Sequence, residues 1–182
     1  LSSILINSEL AEKFSHETSL QNKQFLRNIA IQSKEINSKL SDFIWSIKFE
    51  LGNNNSLKQR LLDYQQHLFD GKNINCHYQI DESLLENAPI ITKNILLIIK
   101  EAMNNISKYA FASEVDIHLY KEKGSLILKI KDNGIGFEKN SILKGNGLEN
   151  MKRRCNSSFG HFVVNSEKNI GTEIICQWPI MT

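Results

Sequence analysis

The first 48 residues contain no glycine and no proline; all nine glycines and both prolines fall later in the chain. A stretch without either breaker, in a chain this size, is free to run as long helix. Its apolar residues agree. Ile29, Ile36, Leu40, Phe43 and Ile47 recur at spacings of seven, four, three and four, which is a heptad-like stripe with polar residues on the other faces. Leu1, Ile4, Leu5 and Ala11 read as the end of a partner helix, and Ser15-His16-Glu17-Thr18 as the polar turn between the two, with Ser15 or Thr18 able to cap the second. Two such helices cannot bury their stripes alone, so a dimeric bundle is expected. The chain does not begin with Met, and Leu1-Ser2-Ser3-Ile4-Leu5 already reads as mid-helix, so it is expected to be a piece of something longer.

Gly52-Asn53-Asn54-Asn55-Ser56 is a run of turn-formers, read as a linker over residues 51–56. Beyond it the style is mixed. Leu57–Phe69 reads as a helix, Asn73–Ile80 as a short strand, and Pro89 as the first turn of a long helix running to about Tyr109. Val115–Tyr120 and Leu126–Ile130 flank Glu122-Lys123-Gly124 as a hairpin, and Gly147–Cys155 is a shorter helix. Phe159–Asn165 and Thr172–Trp178 form a second hairpin around Asn169-Ile170-Gly171. The expected architecture is α+β, a two-layer α/β sandwich over residues 57–182 preceded over residues 1–50 by a partial helical hairpin from a four-helix bundle.

Composition narrows the class. With 41% hydrophobic and 23% charged residues over 182 positions, the chain reads as globular rather than disordered, and a net charge of +2 argues neither for nor against a nucleic-acid partner. Cys76, Cys155 and Cys176 are odd in number and far apart, which argues against a disulfide framework or zinc site and fits a reducing compartment. His67, His77, His118 and His161 show no metal-ligand spacing. The longest dense apolar run, Ile95–Ile99, is too short to cross a bilayer, and no signal peptide is visible.

Four segments carry chemistry. On the long helix, Glu101, Asn105 and Lys108 share one face beside a core stripe of Ile91, Ile95, Ile98, Ala102 and Ile106. An amide oxygen is a hard ligand for Mg²⁺, an ammonium neutralises phosphate, and a carboxylate positions a water or accepts a proton. On spacing alone the same three side chains also make an ordinary solvated stripe. Asp132-Asn133-Gly134-Ile135-Gly136-Phe137 follows a strand directly; the Asp can accept from an exocyclic amine and the glycines let backbone approach a flat ligand, although Asp-Asn-Gly is also a common turn. Lys144-Gly145-Asn146-Gly147-Leu148 opens a helix, where unpaired N–H groups suit phosphate, or is simply a flexible loop. Gly171-Thr172 starts a strand and, taken alone, is explained as a hairpin corner.

The order of these four segments resembles the nucleotide site of the GHKL superfamily, with its Bergerat ATP-binding fold: gyrase B subunits, MutL repair proteins, the large heat-shock chaperones and histidine kinases. The resemblance covers roughly residues 57–180, with Glu101–Ala110 matching the N box, Asp132–Phe137 the G1 box and Gly145–Leu148 the G2 box. It implies ATP and Mg²⁺ as ligands. Asn105 would hold Mg²⁺, Lys108 would touch phosphate, and Glu101 would be the polar catalytic residue. Tyr109 would lie against the nucleotide. Asp132 would bind the adenine amine, with Gly134 and Gly136 lining the base pocket and Thr172 in the same network. Gly145, Gly147 and Leu148 would close over the phosphates.

Within the superfamily, Leu40-Ser41-Asp42-Phe43-Ile44-Trp45-Ser46-Ile47 looks like the second dimerisation helix of the sensor histidine kinases that serve helix-turn-helix response regulators, and the short lid Glu138–Lys144 suits them. That resemblance implies transfer of the ATP γ-phosphoryl to a His and thence to a receiver-domain Asp, a homodimer through the N-terminal helices, no direct nucleic-acid contact, and a cytoplasmic region of a protein anchored in the bacterial inner membrane. The acceptor His of that subfamily precedes a segment like Leu1-Ser2-Ser3-Ile4, so it is expected outside this sequence. His16-Glu17 imitates the motif but falls in the expected turn and lacks the Arg-Thr-Pro tail of the other large kinase class. A degenerate, nucleotide-sensing module that scaffolds a dimer is the alternative. A Ser/Thr kinase of the anti-sigma type is a further one, disfavoured by the helices before Gly52.

Overall fold

The computed structural model describes residues 56–138 and 146–180, together with Ile29, Ile31, Ser33, Ile36 and Leu40. The chain divides into two compact units, Leu1–Asn53 and Asn54–Thr182. In the first, all five described residues are helical. Ile29, Ser33, Ile36 and Leu40 share one face by spacing; Ser33 is buried, Ile29 and Leu40 are half-buried, and Ile36 is 50% exposed. The expected turn with His16, the positions Phe43 and Ile47, the linker up to Asn55, the lid beyond Glu138 and Gly145 lie outside the described residues.

The second unit opens with helix α1, Leu57–Leu68. Ser56 Oγ accepts from the Gln59 N–H, and the Glu82 carboxylate takes the Leu57 and Lys58 N–H groups at 3.1 and 3.0 Å, so three otherwise orphaned donors are satisfied. Strand β1, Asn75–Ile80, follows, and a 3₁₀ turn over Glu82–Leu85 leads to helix α2, Pro89–Asn105. The expected stripe on α2 is only part of what it buries. Asn94, Leu96, Leu97, Ile99 and Met103 are inside as well, while Ile91 is half-buried, because α2 packs on α1, on the later helix α3 and on the sheet.

The expected continuation of α2 to Tyr109 is altered. Ile106–Ala110 forms a π turn, and Phe111 after it sits at φ 53°. Ala110 is the last residue of this turn, where a carbonyl lacks an intrahelical donor, and its oxygen accepts from the Ile135 N–H at 2.8 Å.

Strands β2, Glu114–Glu122, and β3, Ser125–Asp132, form the first hairpin. Helix α3, Asn146–Ser157, buries Met151 and Cys155. Strands β4, His161–Glu167, and β5, Gly171–Pro179, form the second hairpin. The sheet order is β1-β2-β3-β5-β4, with β1 parallel to β2 and the other pairs antiparallel. This is the expected α+β arrangement, one sheet under a layer of helices.

Register across the sheet explains where polarity enters. Leu119, Leu128, Cys176 and Phe162 align as one row, and Ile117, Ile130, Ile174 and Val164 as the next, all on one face. Side chains on a strand alternate between faces, so two residues further along each strand the same face carries Val115, Asp132, Thr172 and Ser166. The core is apolar in two rows and turns polar in the third.

Candidate nucleotide site

The polar row is the floor of the site. Asp132 ends β3, is only 5% exposed, and its Oδ1 accepts from the Gly134 N–H at 2.8 Å. Burial pushes its pKa above the ordinary carboxylate value, and hydrogen bonds from the Gly134 and Thr172 backbone N–H groups oppose that rise. Thr172 stands directly opposite Asp132 on β5. Its hydroxyl lies 3.0 Å from Ser166 Oγ.

The glycines of this region are set by close approach. A Cβ on Gly134 would fall 2.3 Å from the Ala110 carbonyl oxygen. Gly136 has φ +55°, and a Cβ there would meet the Glu167 carbonyl oxygen at 2.1 Å. Gly171 has φ +127° and its Cβ would lie 2.0 Å from the Asp132 carbonyl oxygen. Any side chain at Gly171 would push β5 off the end of β3, so the Gly-Thr pair does more than turn a corner.

Two further side chains hold the loop after β3 and a third braces the π turn, through partners that left no signal in the sequence. Asn133 Oδ1 accepts from the Ser113 and Glu114 N–H groups at 2.9 and 3.0 Å, and its Nδ2 donates to Ser113 Oγ, which clamps the loop to the start of β2. Ser166 Oγ accepts from the Phe137 N–H at 2.9 Å. Lys72 Nζ donates to the Ser107 carbonyl inside the π turn at 2.6 Å. Such partners are set by tertiary approach, since a hydroxyl or an ammonium at these positions reads as ordinary surface in one dimension.

A second cluster forms where α2 meets α3. Both Glu101 and Asn105 are half-buried on α2. A Cβ on Gly147 would lie 2.5 Å from Glu101 Oε1, 3.2 Å from Asn105 Nδ2 and 3.4 Å from Asn105 Oδ1. The first turn of α3 therefore rests on these two polar side chains. Backbone N–H groups in a first helical turn lack intrahelical partners, and this end of α3 favours negative charge. Leu148 is half-buried in the same turn, on the face that continues into Met151 and Cys155.

The structure thus gathers Asp132, Gly134, Gly136 and Thr172 at the ends of β3 and β5, and Glu101, Asn105 and Gly147 between α2 and α3. Lys108 and Tyr109 are carried on the π turn between Asn105 and Ala110; both are exposed, Tyr109 at 65%. Gly145 lies outside the described residues. The donor set fits a magnesium nucleotide: a carboxamide beside a carboxylate and a helix N-terminus at one end, and a buried carboxylate walled by glycines at the other.

Comparison with known proteins bears on the family and the fold. The family model of histidine kinase-, DNA gyrase B- and HSP90-like ATPases matches residues 91–182. The histidine-protein kinase/phosphatase DegS of Brevibacillus brevis is 29% identical over 193 residues, covering 100% of this chain and 48% of that protein. The sensor histidine kinase YdfH of Bacillus subtilis is 34% identical over 129 residues, covering 68% and 31%. DesK of the same organism is 25% identical over 181 residues, covering 98% and 46%. The chain therefore spans about half, or less, of the length of these curated relatives. Among solved structures, the Acinetobacter baumannii histidine kinase AdeS superposes with a TM-score of 0.61 at 13% identity, over 99% of this chain and 95% of that one. The histidine kinase domain of the Erythrobacter litoralis EL346 blue-light activated kinase gives 0.59 at 14% identity, over 98% and 93%. At those identities the structures speak for the fold alone, whereas the family match spans both clusters of the site. By that match the chain belongs to the family of histidine kinase-, DNA gyrase B- and HSP90-like ATPases.

Proposed function

We propose that this chain binds Mg·ATP between α2, α3 and the ends of β3 and β5, and that it is the catalytic region of a sensor histidine kinase. The observation that carries the reading is the pairing of a glycine-walled, buried Asp132 with a Glu101–Asn105 face lying under the first turn of α3. A plain solvated stripe has no reason to meet a helix N-terminus, and a plain hairpin turn has no reason to bury its carboxylate. Glu101 and Asn105 are both present, which counts against a degenerate scaffold.

In this reading Asp132 accepts from the adenine amine, and Gly134 and Gly136 leave room for the flat base. Asn105 would hold Mg²⁺, which supplies charge neutralisation at the phosphates. Lys108, Gly145, Gly147 and Leu148 would surround the phosphates, Tyr109 would cover the nucleotide, and Glu101 would orient the acceptor group or take its proton. Little covalent chemistry is asked of the protein, so positioning and electrostatics carry the step. The acceptor His lies outside the described domain, and a receiver-domain Asp takes the phosphoryl group next. The half-exposed Ile36 on the N-terminal helix fits a face covered by a second copy, hence a homodimer. No helix among the described residues is long and apolar enough to cross a membrane.

Calorimetric titration of Mg·ATP into the chain tests the reading, beside Asp132→Asn and Asn105→Ala. Binding that weakens in both variants, with the Asn105 effect confined to buffer containing Mg²⁺, supports it. A folded chain that does not bind Mg·ATP overturns it. Incubation with γ-labelled ATP tests the finer point: the chain is expected to incorporate no label, and label on His16 would refute an external acceptor.

A further inference from the structure

Ser166 makes three contacts with a single hydroxyl. It accepts from the Phe137 N–H at 2.9 Å, lies 3.1 Å from the Gly171 carbonyl oxygen, and lies 3.0 Å from Thr172 Oγ1. A carbonyl oxygen only accepts, so the Ser166 proton is committed to Gly171 when that contact is a hydrogen bond. The contact to Thr172 is then a hydrogen bond in one direction alone, with Thr172 donating. Thr172 has no second proton. Its oxygen keeps only lone pairs for anything bound beside it.

Asp132 stands directly opposite Thr172 on the same face of the sheet, and its carboxylate also only accepts when ionised. The two form an acceptor-only floor. An amine with two N–H bonds satisfies both acceptors. A carbonyl oxygen in the same place faces lone pairs and leaves the buried Asp132 and the half-buried Thr172 unpaired, which is the costly case.

We infer that Ser166 is a positioning residue for base recognition, holding the Thr172 proton away from the ligand so that the site selects a 6-amino purine over a 6-oxo purine. The inference rests on the nucleotide-binding reading above. Ser166 itself does not touch the base; it acts through Thr172.

The test is the ratio of dissociation constants for inosine and adenosine triphosphates; inosine has a carbonyl oxygen in place of the amine and an N1–H in place of the N1 lone pair. The chain as it stands is expected to prefer ATP by roughly a hundredfold, because two acceptors are mismatched by the oxo base. Ser166→Ala frees the Thr172 hydroxyl to rotate and donate, and should cut the ratio about tenfold, mainly by tightening inosine triphosphate. Ser166→Thr keeps the hydroxyl and should keep the ratio. In a Thr172→Val background, Ser166→Ala should leave the ratio unchanged, since the group it acts through is gone. If Ser166→Ala does not fold, Ser166→Cys fills similar space with a weak donor and acceptor and carries the same expectation.

An unchanged ratio in Ser166→Ala, equal weakening of both nucleotides, loss of selectivity in Ser166→Thr, or a shift that persists without the Thr172 hydroxyl would each overturn the role of Ser166 while leaving nucleotide binding intact. Failure of the unaltered chain to bind either nucleotide would instead bring down the underlying reading, and this inference with it.

Discussion

The Ile135 N–H donates to the Ala110 carbonyl oxygen at 2.8 Å, so the loop after β3 is tied to the last residue of the π turn that ends α2. The same oxygen would lie 2.3 Å from a Cβ on Gly134. Gly134→Ala must therefore break this bond or move backbone on both sides. A loss of about 1–3 kcal/mol of stability is expected, with ATP affinity falling at least about tenfold because Asp132 is held by the Gly134 N–H. Thermal unfolding and calorimetry on the same sample check both halves.

Gly147 should behave differently. A Cβ there meets only the far ends of the Glu101 and Asn105 side chains, whereas the obstacle at Gly134 is backbone. Gly147→Ala is expected to change stability by no more than about 0.5 kcal/mol, and alanine even favours the helix. Displacing the two polar side chains should still weaken Mg·ATP binding. Unchanged affinity would show that the contact between α3 and the Glu101–Asn105 face is irrelevant to the nucleotide.

Asp132 provides a pH signature. Burial raises its pKa in the folded chain above the unfolded value. The folded state then holds the proton more tightly, so apo stability falls as pH rises from the unfolded pKa to the folded one, and is regained on acidification through that window. ATP affinity should move the other way, since the ionised carboxylate is the better acceptor for an amine. Asp132→Asn should flatten both trends, seen by denaturation and by binding measured across the acidic range.

A control lies far from the proposed nucleotide site. A Cβ on Gly160 would fall 2.5 Å from Trp178 Nε1 and 2.6 Å from Cys155 Sγ, both in the core. Trp178 Nε1 donates to Ser158 Oγ at 2.9 Å, and Asn94 Nδ2 to the same oxygen at 3.0 Å, so the site cannot yield cheaply. Gly160→Ala should cost about 1–3 kcal/mol and lower the Tm by several degrees, without altering the ATP-to-inosine-triphosphate ratio.

Much of this protein was legible along the chain. The two hairpins, the long helix after Pro89 and the shorter helix at Gly147 are local signals, each written in a few adjacent residues as alternation, periodicity or turn chemistry. Glu101 with Asn105 was legible as a helix face, and Asp132-x-Gly-x-Gly as a strand-end loop, because each is a fixed spacing on one element. What spacing alone left open was whether those segments meet. A solvated stripe and a ligand face have the same sequence period, and only packing of α3 onto α2 separates them. The π turn was also hidden: Ile106–Ala110 reads as more helix until the Ala110 carbonyl finds Ile135, a partner distant in sequence. Ser166, Asn133 and Lys72 escaped for the same reason, since a hydroxyl, an amide and an ammonium are surface groups by default and acquire roles only from what approaches them. The sequence by itself determined which elements form and which side chains could do chemistry. Tertiary structure decided which of them share a site, because hydrogen-bond direction and close approach are properties of pairs brought together from distant positions.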